Sequence, residues 1–195
     1  MEMNIIDELV EKYGGKVVGA HAGGDISWNG YSDYYFKWFE DLRDKEINVL
    51  EIGIFQGRSI AVWSDYFYNG KIYGVDWNSK WFYDTRDELI NLGAYQNNNV
   101  EEIFETNSTN HKFECDIKFD IIIDDGDHSL NGQYSTFTNY FHLMKEGGLY
   151  IIEDAEHTAT SLVEKIGEGE IIKCSNAREE SQRNNKMVLI KKKQK

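Results

Sequence analysis

Apolar and polar positions along this chain follow two alternating periods. Short apolar runs at Asn48 to Ile52, Lys71 to Val75, Val100 to Glu105, Phe119 to Asp124 and Leu149 to Glu153 are bounded by Gly, Asn and Asp, and they read as strands. Between them the spacing lengthens to three and four residues. Arg58 to Tyr68 puts Ile60, Trp63 and Phe67 on one helical face, Asp84 to Leu92 puts Leu89 and Leu92, and Leu130 to Met144 puts Tyr134, Phe137, Phe141 and Met144. This strand–helix alternation from Ile47 onward predicts a Rossmann-like α/β fold, a parallel sheet with helices on both faces. Past Glu156 the pattern changes to a helix near Ser161 to Ile166, a strand near Glu170 to Cys174, a polar and mobile loop Ser175 to Asn185, and a strand Lys186 to Lys191. Two late strands with no helix between them predict a C-terminal antiparallel hairpin, and so a mostly parallel seven-stranded sheet. The first 45 residues carry the aromatic cluster Tyr31, Tyr34, Tyr35, Phe36, Trp38 and Phe39, and they read as one or two helices capping the sheet or a ligand mouth.

Length and charge narrow the classes. At 195 residues the expectation is one domain, 1–195, with 1–45 as its helical cap. The net charge of −13 would repel nucleic acid and acidic membrane surfaces, so neither is an expected partner. Lys191, Lys192, Lys193 and Lys195 read as a solvated basic tail. Cys115 and Cys174 have no disulfide or metal spacing and fit a reduced compartment. Residues Met1 to Glu8 lack the basic flank and apolar stretch of an export signal, and no apolar run reaches membrane-spanning length. A cytoplasmic setting is therefore expected. Proline is absent, so reversals fall to pairs such as Asn29-Gly30, Asn69-Gly70 and Gly147-Gly148.

The chemistry sits at the strand ends. In Leu50-Glu51-Ile52-Gly53-Ile54-Phe55-Gln56-Gly57-Arg58-Ser59, a buried strand runs into two glycines four apart and then a helix. Gly53 permits a tight turn and close backbone approach to a ligand, and Gly57 opens a helix whose free N–H groups can face an anion. The GxGxxG dinucleotide fingerprint is absent. About 20 residues on, the second strand ends in Asp76 and Trp77; an acid there can accept from both ribose hydroxyls, and Trp77 either lies along a base or is a core aromatic. Thr106, Asn107, Ser108 and Thr109 end the third strand and suit adenine edges or a plain turn.

The fourth and fifth apolar runs end in Asp124-Asp125-Gly126-Asp127-His128 and Glu153-Asp154. If those strands are neighbours, four carboxylates converge, and that much negative charge calls for a cation; oxygen ligands favour Mg²⁺ or Ca²⁺. Because successive strand residues face opposite ways, Asp124 is assigned to the cofactor side and Asp125, Glu153 and Asp154 to the metal. His128 reaches the same pocket with a side chain suited to proton abstraction near neutrality, and it is the expected general base. His21, His111, His142 and His157 are taken as structural.

Together, LEIGIFQGRS, YGVDW, FDIIIDDGDH and GGLYIIED resemble the macrocin and mycinamicin type of sugar O-methyltransferase, a metal-dependent branch of the class I S-adenosylmethionine (SAM) enzymes, over roughly Tyr31 to His157. The resemblance implies the class I methyltransferase fold, Mg²⁺ on Asp125, Glu153 and Asp154, His128 as base, and SAM held by Glu51, Gly53, Gln56, Ser59 and Asp76. Tyr31, Gly57, Trp77, Asn107, Ser108 and Asp124 join the expected cofactor shell. It also implies methyl transfer to a hydroxyl of a sugar or glycosylated small molecule, with a homo-oligomer allowed. Asn107 and Ser108 stand where the family commonly has an aspartate and a glutamine, and the extra N-terminal domain of some relatives has no counterpart in this sequence. Two rivals remain: a metal-dependent hydrolase, which leaves Gly53, Gly57 and Asp76 unexplained, and a noncatalytic SAM-binding subunit, which could dispense with His128 and the metal.

Overall fold

The computed structural model describes residues 3–14, 25–174 and 185–193. Three helices come first: α1 (Ile5–Tyr13), α2 (Asp25–Trp28) and α3 (Ser32–Phe39). Asn4 caps α1 by accepting the Ile6 and Asp7 N–H groups at 3.0 Å each. The alternating part then runs β1 (Asn48–Ile52), α4 (Arg58–Tyr66), β2 (Lys71–Asp76), α5 (Lys80–Asn91), β3 (Val100–Glu105), β4 (Phe119–Asp124), α6 (Leu130–Tyr140), β5 (Met144–Ile152), α7 (Ala159–Ile166), β6 (Glu170–Lys173) and β7 (Lys186–Lys191). All seven expected strands form. The mobile loop expected over Ser175 to Asn185 lies outside the described residues except for Asn185.

The sheet order is β3-β2-β1-β4-β5-β7-β6, parallel from β3 through β5, with β7 antiparallel to both of its neighbours. The late strands do form the antiparallel hairpin. The last strand, however, inserts between β5 and β6. Period-two alternation splits the core into two layers. Val49, Ile121, Ile123, Ile151 and Leu189 face α1, α3 and α4, while Leu50, Ile52, Ile122, Tyr150 and Ile152 face α6 and α7. On the first side Trp63 and Phe67 of the α4 segment pack with Phe39 and Tyr35 of α3.

Three details depart from the pattern reading. The helix expected to reach Met144 stops at Tyr140, a short 3₁₀ turn Phe141–Leu143 follows, and Met144 starts β5. The most buried face of α6 carries Gly132, Gln133, Thr136 and Tyr140, while Tyr134, Phe137 and Phe141 are only partly buried. Polar groups take that face because they have partners: Gln133 Nε2 donates to the Glu153 carbonyl at 3.0 Å, its Oε1 accepts from the Thr158 hydroxyl, and Thr136 meets Ser108 at 3.0 Å. Leu92, beyond the end of α5, is 42% exposed rather than part of an apolar face.

Candidate active site

The strand order reverses between β1 and β4, the place where open α/β sheets leave a crevice. Register fixes what enters it. Ile52 pairs with Val75 on one side and Asp124 on the other, and Asp124 pairs with Ile152. Gly53, Asp76, Asp125 and Glu153 therefore leave the sheet at one level.

The glycine turn is built tightly. Gly53 has φ +88°, and a Cβ there would lie 2.1 Å from the Asp125 carbonyl oxygen, so the turn after β1 and the turn after β4 touch backbone to backbone. Phe55 follows with φ +44°, unusual for a bulky residue, and Gly57 enters α4 with φ +72°. Asp76 stabilises this bend: its carboxylate accepts the N–H groups of Phe55 and Asn78, each at 2.9 Å. Glu51, buried inside β1, accepts from the Ser59 hydroxyl at 2.9 Å and from the Trp63 indole at 3.3 Å.

Two cavities open on this turn, and Gly53, Phe55 and Asp125 belong to the walls of both. The first, about 450 Å³, is bordered by Asp76, Trp77, Trp81, Asn107 and Ser108. Trp77 is 66% exposed at its mouth and stands edge-on to Trp81, which stands edge-on to Phe55. Trp77 is thus a rim aromatic and not a core one. Asn107 spends its side-chain carbonyl on its own turn, accepting the Thr109 N–H at 2.9 Å and hydroxyl at 2.8 Å. The second cavity, about 370 Å³, is bordered by Glu51, Gln56, Ser59, Asp125, His128 and Glu153.

Past the glycine turn the acids gather. One donor atom each from Asp125, His128 and Asp154 lie within 4.8 Å of one another. Asp154 has φ +49°, a left-handed backbone that breaks the strand alternation after Glu153. Its Oδ1 accepts the Tyr31 hydroxyl at 2.8 Å and the Asn29 amide at 3.3 Å, and Glu153 Oε1 accepts the Tyr35 hydroxyl. Burial raises the Asp154 carboxyl above its ordinary range, opposed by the Tyr31 hydrogen bond and by His128. Burial, followed by the Asp154 charge for Tyr31 and the Glu153 charge for Tyr35, pushes both phenols far up, so they act as donors. Of the three expected metal ligands, Asp125 and Asp154 converge, with His128 beside them, while Glu153 is not in this group; the paired anionic oxygens fit a divalent cation, and their outer partners are already in place.

Asp124 and Tyr31 stand behind these walls, both essentially buried. Asp124 accepts from the Gly126 N–H at 3.3 Å and the Tyr150 hydroxyl at 3.4 Å, and burial pushes its carboxyl up to about 7. Tyr31 underlies Asp154. Pattern reading did not pick out Phe55 at the shared wall, Trp81 in the first cavity, Asn29 and Tyr35 behind the acids, or Gln133. Tyr35 carried a local signal, since it stands one helical turn after Tyr31 in the aromatic cluster; the others carried none.

Residues 50–155, just over half of the chain, match the protein family described as a methyltransferase domain. Among curated relatives, an 8-demethyl-8-(2-methoxy-alpha-L-rhamnosyl)-tetracenomycin-C 3'-O-methyltransferase of Streptomyces olivaceus is 31% identical over 150 residues, covering 72% of this chain and 36% of its own length. The mycinamicin VI 2''-O-methyltransferase of Micromonospora griseorubida is 31% identical over 138 residues, covering 67% and 32% respectively. The chain thus spans about a third of the length of the curated relatives it matches. Among solved structures, the MycE methyltransferase of the mycinamycin pathway, in complex with Mg, SAH and mycinamycin VI, aligns with a TM-score of 0.55 at 24% identity over 81% of this chain and 39% of that one. The O-methyltransferase TomG of Streptomyces achromogenes, in complex with SAM, aligns with a TM-score of 0.62 at 13% identity over 100% of this chain and 92% of that one. These two likenesses establish the fold. With the crevice at the β1/β4 reversal, the glycine turn and the family match agreeing, this chain belongs to the methyltransferase-domain family and has its class I α/β fold.

Proposed function

We propose that this chain transfers a methyl group from SAM to a hydroxyl of a sugar or glycosylated small molecule, using a divalent cation, Mg²⁺ in the first instance. One observation carries the reading: a cavity suited to a nucleoside and an acid-lined pocket share the wall formed by Gly53, Phe55 and Asp125. A methyl donor with its nucleoside in the first and its amino-acid tail reaching past Gly53 to Glu51, Gln56 and Ser59 in the second would meet a hydroxyl held at the acids there. The names of the curated relatives, and the Mg and SAH bound in the MycE complex, support the same chemistry.

In this reading Asp76 accepts from the ribose hydroxyls, Trp77 covers the base, and Asn107 and Ser108 line its edge. Glu51, Gln56 and Ser59 border the amino-acid tail, while Gly53 and Gly57 let the backbone approach it. Asp125, Glu153 and Asp154 hold the cation. When bound, that ion lowers the acceptor hydroxyl's pKa and fixes the oxygen for in-line attack. His128, beside Asp125, takes the acceptor's proton as the new C–O bond forms and the sulfonium C–S bond breaks.

Calorimetry with SAM, with and without Mg²⁺, followed by methyl incorporation into a panel of glycosides, tests this. A protein that ignores SAM is not a methyltransferase, and one that binds SAM but neither takes up metal nor methylates any glycoside is a binding subunit. His128→Ala should abolish turnover and leave SAM affinity nearly intact; lost SAM binding with retained turnover would refute the base assignment.

A further inference from the structure

Two consecutive acids at a strand end normally point to opposite faces of the sheet. Here Glu153 and Asp154 both turn toward the N-terminal segment, because Asp154 adopts φ +49°. They meet two phenols spaced to match. Tyr31 and Tyr35 are four residues apart at the start of α3, one turn on a single helical face. The Tyr31 hydroxyl donates to Asp154 Oδ1 at 2.8 Å and itself accepts the Asp154 N–H at 3.2 Å, so one group fixes both the side chain and the backbone of that residue. Asn29 donates to the same Oδ1 at 3.3 Å. The Tyr35 hydroxyl donates to Glu153 Oε1.

Neither phenol has room to swing. Both rings are fully buried; Tyr35 stacks on Phe39 at 5.1 Å and stands edge-on to Trp63 at 5.3 Å. Trp63 in turn donates to Glu51 at 3.3 Å. One aromatic wall thus carries donors to three acids at the ends of β1 and β5.

We propose that Tyr31 and Tyr35 are positioning residues, holding the Asp154 and Glu153 carboxylates in the orientation that takes a divalent cation, so that α3 and its N-cap set metal affinity. This rests on the metal site proposed above. Groups that orient metal ligands from outside typically change affinity by roughly 10- to 100-fold when removed. A purely structural phenol would change melting temperature and leave metal affinity alone.

The experiment is titration of Mg²⁺ by calorimetry and of Mn²⁺ by electron paramagnetic resonance, using the full chain without acceptor, for wild type, Tyr31→Phe and Tyr35→Phe. SAM affinity and melting temperature are measured in parallel. The expected result for each variant is divalent-ion affinity weakened about tenfold or more, with SAM affinity within about twofold of wild type. Unchanged metal affinity in a folded Tyr31→Phe protein overturns the proposal, as does a larger loss of SAM affinity than of metal affinity, which would make Tyr31 a cofactor contact. If Tyr31→Phe fails to fold, Asn29→Ala and Tyr35→Phe carry the test with the same criteria. A wild type that takes up no divalent ion sinks the metal reading itself; metal uptake indifferent to all three substitutions sinks only the positioning role.

Discussion

Gly53→Ala tests the geometry on which the site depends. Two costs are readable from the structure. At φ +88° an alanine pays the left-handed penalty of about 1–2 kcal/mol. Its Cβ would also lie 2.1 Å from the Asp125 carbonyl oxygen and 2.8 Å from the Gly126 Cα, so the turn after β4 must move by roughly 1 Å to reach ordinary contact. The obstructing atoms are backbone, and Asp125 is tied by its N–H to the Ile52 carbonyl at 2.9 Å, so relief requires breaking or bending that bond. Overpacking of this kind costs about 1–3 kcal/mol. A total near 3 kcal/mol lowers the melting temperature of a domain this size by roughly 6–12 °C. Gly57→Ala is the control. It pays the same left-handed cost at φ +72°, but its Cβ meets only the buried Phe82 ring, at 2.2 Å, a side chain rather than a neighbouring backbone turn. Thermal unfolding of both variants, with Mg²⁺ and SAM titrations, should show Gly53→Ala losing more stability and weakening metal binding, with Gly57→Ala sparing the metal. A Gly53→Ala protein that melts within about 1 °C of wild type and binds Mg²⁺ normally would refute the reasoning.

Other outcomes follow from single contacts. Gln133→Leu removes the donor to the Glu153 carbonyl and the acceptor for Thr158 in a buried setting, and should cost about 2–4 kcal/mol by denaturant unfolding; a loss below about 0.5 would mean water replaces both bonds. His142 is held below its ordinary pKa by burial and then by the Lys112 ammonium, so the unfolded chain takes its proton first on acidification. Stability from this group is present above about pH 6.5 and is lost below it, and His142→Leu should blunt that loss between pH 7.5 and 5.5; equal loss in both proteins would discard the assignment. The Cys174 thiol, buried and pushed up to about 12, should resist iodoacetamide in the native protein and react in denaturant, as read by mass spectrometry; native labelling would contradict its burial.

Local periodicity and turn chemistry determined a good deal of this protein. Short apolar runs at Asn48 to Ile52 and its successors gave the strands, three-and-four spacing put Ile60, Trp63 and Phe67 in the core, and the glycine pair after β1 marked the crevice. These features belong to a few neighbouring residues, so they can be read without knowing what packs against them. Tertiary structure decided the remainder. It set β7 between β5 and β6, gave the inner face of α6 to Gln133 and Thr136, and brought Tyr31 to Asp154 across 123 positions of chain. It also showed that Gly53 is required by a neighbouring turn, whatever its role toward a ligand. A polar residue reads as surface until its partner is known, and that partner is fixed by strand register and helix packing over long separations, which no local pattern records.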